Sequence, residues 1–368
     1  MRIRGTRPGL PAAGAAAICA ALALLASGCG SDGDGGGGTT GKPDGSATST
    51  SAGGGNGETP IAQTGDDDRL TPDEMAKARP LEQVEPSDAP ADHSGGGGDL
   101  APERDNGRPG QVGPKEPGHG GAVSSGASAA RAAAHKPRLP VQRSPRIGRI
   151  FGKAGGNRYW FCTASVVPSR GRNLIVTAGH CLWDEHNGKA LARSWQFVPG
   201  YYATGGRGHA PYGVYTARRW WAYKSWIRRQ NWRYDFAFMR LRPGARGYHG
   251  AGRNVQNNVG AMGIAWNQRP NRTYVSIGYD AQKKYGWDNG SSAYYRRGRG
   301  HWIGSWAQLN LHHRYMTGGA SGGPWLIKYS RSRRTGVVDG VNSRSNRRST
   351  ATSPYFGSAL RKLYYSVR

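Results

Sequence analysis

Cysteine is scarce in this sequence, and in its second part acidic residues are scarce as well. Only 4 of the 368 residues are cysteine, so disulfide bonds can constrain little of the chain. After one apolar run near the start, no stretch approaches the roughly eighteen consecutive apolar residues that a membrane-spanning helix needs. From residue 146 onward there are 37 lysines and arginines but only 6 aspartates and glutamates, a net charge of +31. A field of that size attracts anionic partners and concentrates them near the protein.

Residues 1–28 have the layout of an export signal. Arg2, Arg4 and Arg7 precede an apolar run from Ala12 to Leu25, which small residues follow. Those small residues and the cysteine after them, at positions 26–29, resemble the lipobox of bacterial lipoproteins, in which the cysteine becomes the acylated first residue. The alternative is an ordinary signal peptide followed by an unrelated cysteine.

The cysteine count favours the lipoprotein interpretation. Cys19 lies within the apolar run and would be removed with it, which leaves Cys29, Cys162 and Cys181. If Cys29 carries lipid, the other two remain as one pair, as suits an oxidising compartment. The acyl chains that lipoprotein processing adds would anchor the protein to the outer face of the cell membrane. Secretion without an anchor is the alternative localisation.

Residues 29–145 are rich in Gly, Ser, Thr, Pro and Asp and poor in apolar side chains. Too little apolar surface is present to offset the entropy of ordering this backbone, so the composition predicts a long disordered linker or prosegment. The part from residue 30 to 145 is net acidic, with 17 acidic against 11 basic residues. Near its end, the basic and proline-rich run from Lys136 to Arg146 is either a cleavage point for another protease or a solvated charged tail.

The composition changes after residue 146, where short β-prone runs alternate with clusters of Gly, Asn, Pro and Arg. Many short strands with turn signals between them predict an all-β sandwich or barrel. The predicted strands are Trp160–Val167, Asn173–Thr177, Trp195–Val198, Tyr234–Leu241, Tyr274–Tyr279, Pro324–Ile327 and Thr335–Val341. The spacing of Leu360, Leu363 and Tyr364 predicts a short helix at the end of the chain, over Ser358–Val367.

Three short segments carry residues suited to nucleophilic catalysis. His180 ends the run Thr-Ala-Gly-His, Asp235 begins an apolar strand, and Ser321 lies between two pairs of glycines. A serine hydroxyl needs a base to take its proton, a carboxylate to orient that base, and donors to hold the oxyanion. Taken alone, Asp235 is more typical of a turn and the glycine-flanked serine of a flexible loop. The order His, Asp, Ser along one chain favours catalysis, because it is the order of one known class of triad.

The blocks Phe161–Val167 and Leu174–Cys181, together with the other two segments, resemble the trypsin-like peptidases of the chymotrypsin fold. The resemblance implies two six-stranded antiparallel Greek-key barrels over residues 146–368. It further implies a disulfide between Cys162 and Cys181, and an oxyanion hole formed by the N–H groups of Gly319 and Ser321. This chemistry requires no cofactor or metal, and His312–His313 lack the acidic or cysteine companions of a metal site.

The sequence departs from animal trypsins at several positions. The residue before the serine is Ala320 rather than an acidic residue, and no Ile-Val-Gly-Gly start is present, so the chain resembles bacterial secreted peptidases of the glutamyl-endopeptidase type. By resemblance, Tyr315 and Asn342 line the specificity pocket. Tyr315 argues against cleavage after Arg or Lys, and the stretch containing Asn342 lacks the histidine usual for glutamate selectivity.

These observations predict an exported serine endopeptidase that acts on protein or peptide substrates as a monomer. The alternatives are a catalytically silent domain that binds anionic cell-wall polymer, and acyl transfer or esterase activity on a non-peptide substrate. The run Ala217–Arg229 mixes cations with aromatic rings, which could bind nucleic acid. We instead expect a segment between the barrels with packed tryptophans and an arginine-rich face, and no nucleic-acid binding.

Overall fold

The computed structural model describes ten ranges of the chain, and side chains are described in all of them except over residues 303–310. The described ranges are residues 59–65, 68–81, 107–118, 144–153, 158–184, 187–281, 289–303, 306–311, 316–345 and 350–368. The predicted export signal at 1–28, the predicted lipidation site Cys29 and the pocket residue Tyr315 lie outside them.

Within the described ranges, nineteen strands, four α-helices and a short 3-10 helix (Trp232–Tyr234) make up the regular structure. The strands are β1 (Pro60–Thr64), β2 (Arg79–Pro80), β3 (Gly110–Val112), β4 (Ile147–Lys153), β5 (Tyr159–Val167), β6 (Leu174–Thr177), β7 (Ser194–Pro199), β8 (Tyr202–Thr204), β9 (Arg207–His209), β10 (Tyr215–Tyr223), β11 (Ala237–Leu241), β12 (Gly263–Trp266), β13 (Thr273–Gly278), β14 (Tyr294–Ile303), β15 (Trp306–Asn310), β16 (Pro324–Ser330), β17 (Thr335–Val341), β18 (Arg344–Ser345) and β19 (Thr350–Pro354). The helices are α1 (Pro72–Lys77), α2 (Lys224–Arg229), α3 (Val255–Val259) and α4 (Ser358–Val367).

Six strands close into an antiparallel barrel. The ring runs β4, β5, β6, β11, β10, β7 and back to β4, because β7 pairs with both β10 and β4. Apolar side chains fill it; the register places Ile150, Val166, Ile175 and Met239 on one face, and each is at most 1% exposed. Pairing in register places Ala237 opposite Thr177, so the end of β6 and the start of β11 meet at one rim.

The second part is a nine-stranded sheet with the order β18, β19, β15, β14, β13, β16, β17, β12, β3. The predicted all-β, two-barrel fold is confirmed, with more strands than six in this second part. Over residues 146–368 the prediction of a wholly antiparallel arrangement is wrong for one pair of strands, because β12 pairs with β17 in parallel. Four strands separate these two along the chain, and a connection of that length permits a parallel pair.

Part of the region predicted as a disordered linker is folded. β1 pairs with β10 over five residues, from Pro60 opposite Tyr223 to Thr64 opposite Arg219. β2 lies beside β5, and β3 adds to the edge of the second sheet beside β12. The strand edges of the two sheets therefore supply the hydrogen-bond partners that the segments could not find within themselves.

α1 also belongs to this ordered amino-terminal region. A capping box between Thr71 and Glu74 begins the helix, and Leu70, Met75 and Ala78 are buried. The prediction of disorder over 29–145 is thus wrong for residues 59–65, 68–81 and 107–118. The average composition of residues 29–145 gave no sign of the few apolar residues that pack against the barrel.

The aromatic and basic run 217–229 forms most of β10 and then α2, so it belongs to the first barrel and does not connect the two parts. Trp220, Trp221 and Trp226 are buried, whereas Arg218 and Arg228 are exposed. The tryptophans pack in the protein, as expected, and are not available for stacking against bases.

The predicted carboxyl-terminal helix forms over the expected residues. α4 buries Leu360, Leu363, Tyr364 and Val367, and the Tyr364 hydroxyl donates a hydrogen bond to the carbonyl of Pro168 at 2.7 Å. Among the helices that the structure describes, none is long and apolar enough to cross a bilayer.

Candidate active site

His180 lies in the turn after β6, and Asp235 lies between a 3-10 turn and β11. The strand register brings these two chain segments together at the barrel rim. The Nδ1 atom of His180 lies 2.8 Å from Oδ2 of Asp235, and the backbone N–H of His180 donates to Oδ1 at 2.7 Å. His180 is 8% exposed and Asp235 is fully buried. The carboxylate therefore fixes both the position of the histidine backbone and the orientation of its ring.

A further hydroxyl contacts the same carboxylate. Ser343, which follows β17, donates from Oγ to Oδ2 of Asp235 at 2.5 Å. With this bond, Asp235 accepts three hydrogen bonds, which offset the cost of burying its charge. The sequence analysis did not identify Ser343, because nothing in a serine between two strands indicates which distant carboxylate it will contact.

The predicted disulfide between Cys162 and Cys181 is present. It joins β5 to the residue directly after His180, and one ring nitrogen of His180 and the two sulfurs lie within 4.8 Å of one another. Both sulfurs are committed to the disulfide, so this proximity does not provide thiolates for a metal. The pair His312–His313 lies outside the described residues.

Ser321 is 4% exposed and lies on the loop before β16. Its carbonyl accepts a hydrogen bond from the N–H of Thr163 at 2.8 Å, and Thr163 is the neighbour of Cys162. The serine is thus attached to the strand whose disulfide leads to the turn of His180.

The next residue, Gly322, shows how closely the two loops approach. It has φ +75°, and a Cβ built on it would lie 2.0 Å from the Thr177 hydroxyl oxygen and 2.9 Å from the nitrogen of Ala178. Any side chain here would separate the serine loop from the segment that leads to His180. The backbone of the serine loop therefore packs directly against the segment that leads to His180.

Gly319, one of the two residues predicted to form the oxyanion hole, lies in a tight turn over residues 317–320, and Ser321 directly follows that turn. Ala320 N–H donates to the carbonyl of Thr317 at 3.2 Å, and Gly319, at the third position, has φ +89°. This combination fits a type II turn, which needs glycine at that position. The carbonyl of Gly319 accepts a hydrogen bond from the Thr163 hydroxyl at 2.8 Å.

Asn342, predicted to line a specificity pocket, has a different environment. Its side-chain oxygen accepts from Ser276 Oγ and from Trp325 Nε1, each at 2.8 Å, and its amide donates to the Ala320 carbonyl at 2.8 Å. It is buried and supports the serine loop from behind. We therefore do not assign Asn342 a contact with substrate.

Two tryptophans enclose the histidine ring. The ring centroids of Trp226 and Trp232 lie 6.5 Å and 6.1 Å from that of His180. The guanidinium of Arg344 lies 4.2 Å from the centroid of Trp232. The walls beside His180 are therefore aromatic, with a cation at the rim.

Comparison with known proteins gives matches among solved structures. Neither a family model nor a curated protein matches the chain. The protease Anisep from Arthrobacter nicotinovorans is 29% identical with a TM-score of 0.53, covering 62% of this chain and 97% of its own. The thermostable serine protease AL20 from an extremophilic microorganism is 30% identical with a TM-score of 0.52, covering 61% of this chain and 97% of its own. Both therefore match almost over their full length.

Proposed function

Because this chain belongs to the trypsin-like serine proteases of the chymotrypsin fold, we propose that it is a serine endopeptidase with Ser321 as nucleophile. In this proposal His180 is the general base, Asp235 orients it, and the N–H groups of Gly319 and Ser321 bind the oxyanion. The single observation that most supports it is the buried contact between His180 Nδ1 and Asp235 at 2.8 Å. An isolated histidine would have no such partner.

The proposed reaction follows from that contact. With Nδ1 directed at the carboxylate, Nε2 is the nitrogen that takes the proton of Ser321 as its oxygen attacks the peptide carbonyl. The imidazolium that forms is stabilised by Asp235 and then gives its proton to the leaving amine. Water, activated by the same histidine, releases the acyl group from Ser321.

A fluorophosphonate probe tests the nucleophile directly. Wild-type protein should be labelled and should hydrolyse casein, Ser321→Ala should do neither, and Ser332→Ala, an exposed serine, should behave as wild type. Labelling without casein hydrolysis would favour an esterase or acyl transferase. Absence of labelling in the folded wild-type protein would favour the silent polymer-binding domain.

The charge of residues 146–368 supports an anionic partner both for a peptidase and for a silent binding domain. At +31, this part should bind teichoic or other acidic wall polymers, or acidic peptide substrates, mainly through long-range attraction. Profiling cleavage of a peptide library would reject a preference for acidic peptides if the sites showed no acidic enrichment.

We further propose that the protein is exported and held at the outer face of the membrane by lipid on Cys29. The support is the sequence of residues 1–29. Metabolic labelling with an alkyne fatty acid should mark the wild-type protein and not Cys29→Ser. Release of the unlabelled variant into the medium is expected, and equal labelling of both would reject the anchor.

A further inference from the structure

Behind the serine loop lies a buried ion pair that the reaction described above does not use. Asp280, two residues after β13, has no exposed surface, and Arg296 on β14 is 3% exposed. Nη2 of Arg296 lies 2.5 Å from Oδ2 of Asp280. Neither residue was identified by the sequence analysis.

The second carboxylate oxygen of Asp280 faces the serine loop. Oδ1 accepts hydrogen bonds from the Thr317 backbone N–H at 2.9 Å and from the Thr317 hydroxyl at 3.2 Å. The Thr317 hydroxyl oxygen in turn accepts from the N–H of Ala281 at 3.1 Å. One carboxylate therefore joins a cation of the second sheet to the first residue of the turn 317–320.

Burial raises the pKa of the Asp280 carboxyl, and the guanidinium of Arg296 and the donors of Thr317 oppose that rise. A carboxylate placed in this way costs free energy unless all its partners hold it. The ion pair with Arg296 holds Asp280 in place, and Oδ1 of Asp280 is then positioned to accept the hydrogen bonds of Thr317.

The turn that Thr317 begins has two possible orientations of its central peptide. Type I and type II turns differ by a rotation of the peptide between the second and third residues. Here that peptide joins Gly318 to Gly319, so the rotation would reverse the direction of the Gly319 N–H. Glycine at both positions makes either orientation accessible, and contacts outside the turn must select one.

We propose that Asp280, held by Arg296, is a positioning residue that fixes the turn 317–320 and thereby aims the Gly319 N–H at the substrate oxyanion. The inference rests on the proposed peptidase function in one respect only, which is that the group bound by the Gly319 N–H is a substrate oxyanion. The orientation of the Gly318–Gly319 peptide is a separate, structural consequence.

Two double variants separate the acceptor from the charge. D280A/R296M replaces the pair by apolar side chains and leaves Thr317 without its acceptor. D280N/R296Q also removes both charges but keeps an oxygen for the Thr317 N–H. We expect kcat to fall about 100-fold in the first, the size of losing one oxyanion donor, and less than about 5-fold in the second.

Further measurements distinguish positioning from general destabilisation. KM and the reactivity of His180 toward diethyl pyrocarbonate should change little, whereas affinity for a peptide aldehyde, which forms a tetrahedral adduct, should fall in parallel with kcat. Asp339→Asn is the matched control, because Asp339 is a buried carboxylate of the same sheet that bonds Tyr274 and not the serine loop. It should leave kcat within about 3-fold of wild type.

Two outcomes would overturn the inference. One is folded D280A/R296M with the kcat of wild type. The other, independent of any activity, is a crystal structure of that variant in which the Gly318–Gly319 peptide keeps a single, unchanged orientation. If D280A/R296M does not fold, Thr317→Val supplies the test: it loses the hydroxyl bonds and should lower kcat about 3- to 10-fold, and an unchanged kcat would count against the proposal. Absence of labelling in the wild-type protein would reject the peptidase function while leaving the crystallographic test in force.

Discussion

The Thr163 hydroxyl donates a hydrogen bond to the Gly319 carbonyl at 2.8 Å and accepts one from the N–H of Tyr279 at 3.1 Å. Its backbone N–H bonds the carbonyl of Ser321, and its own carbonyl accepts from the Thr177 hydroxyl at 2.8 Å. One residue of the first barrel thus binds the serine loop at two points and the histidine segment at a third. The relative position of Ser321 and His180, the proposed nucleophile and base, depends on it.

Thr163→Val should therefore impair both stability and catalysis. Valine has nearly the same shape but leaves a buried carbonyl and a buried N–H without a partner, at a cost of about 2 to 4 kcal/mol in free energy of unfolding. We expect kcat/KM to fall about 10- to 100-fold because the loop shifts relative to His180. Thr163→Ser should recover most of both. Urea unfolding and steady-state kinetics measure the two effects, and a valine variant equal to wild type would contradict the assigned contact.

Ser343→Ala tests the hydrogen bond to Asp235. Removing a hydroxyl that donates to a buried carboxylate typically costs about 1.5 to 3 kcal/mol, so kcat/KM should fall roughly 10- to 100-fold as the carboxylate loses orientation. Ser366→Ala is the control, since its hydroxyl bonds only the nearby carbonyl of Leu363 among the contacts described. Equal kinetics for the two variants would show that the bond to Asp235 does not affect the reaction.

Removal of the disulfide should destabilise the first barrel. The bond closes a separation of 19 residues, for which the chain-entropy model gives about 3 kcal/mol. The double variant Cys162→Ala and Cys181→Ala should unfold at correspondingly lower urea concentration, and wild-type protein in strong reductant should match it. If reductant left the wild-type transition unchanged, the pairing would be refuted.

Met75 tests whether the amino-terminal region is part of the fold. The side chain of Met75 is 1% exposed, whereas Asp73 in the same helix is exposed. Met75→Ala should lower the free energy of unfolding by about 2 to 5 kcal/mol, as expected for a buried methionine. Asp73→Ala should change it by less than about 0.5 kcal/mol. If Met75→Ala left the free energy of unfolding unchanged, this segment would not contribute to the stability of the fold.

Asp339 should make stability depend on pH. Burial raises the pKa of its carboxyl from 3.8 to about 7, against the bond from Tyr274 and the charge of Arg272. A folded pKa above the unfolded value means that stability is greatest at low pH, falls between about pH 4 and pH 7, and then levels off. The loss should be roughly 4 kcal/mol. Asp339→Asn should abolish this component, so that the stability difference between variant and wild type grows from pH 4 to pH 8; a difference independent of pH would contradict it.

The sequence allowed the local elements to be predicted far better than the contacts between them. β6 and α4 were predicted to within a residue, since each carries a run or a spacing of apolar side chains that permits one structure. β10 was missed because two arginines interrupt its apolar pattern; Arg218 is exposed and Arg219 half-buried, on a strand whose tryptophans are buried.

The site shows the same division. His180, Asp235 and Ser321 stand in distinctive local sequences. In the structure His180 contacts Asp235, and the loop of Ser321 packs against the segment that leads to His180. The local sequences around Asp280, Arg296 and Thr163 carry no distinctive pattern. Thr163 matters because it bonds the serine loop, more than a hundred positions away along the chain. Asp280 and Arg296 matter because they pair with each other across the β13–β14 hairpin. By resemblance Asn342 was expected to line the specificity pocket, but it is buried and its amide donates to the carbonyl of Ala320.

The pairing of β1 with β10 and of β3 with β12 also determines what proteolytic processing would release. A nick between residues 119 and 143 would divide the polypeptide without freeing the earlier piece, because backbone bonds hold Pro60–Thr64 and Gly110–Val112 to strands on the other side of the cut. A denaturing gel would then resolve two bands from a particle that a sizing column elutes as one. The two fragments would have to be renatured together to recover the original assembly.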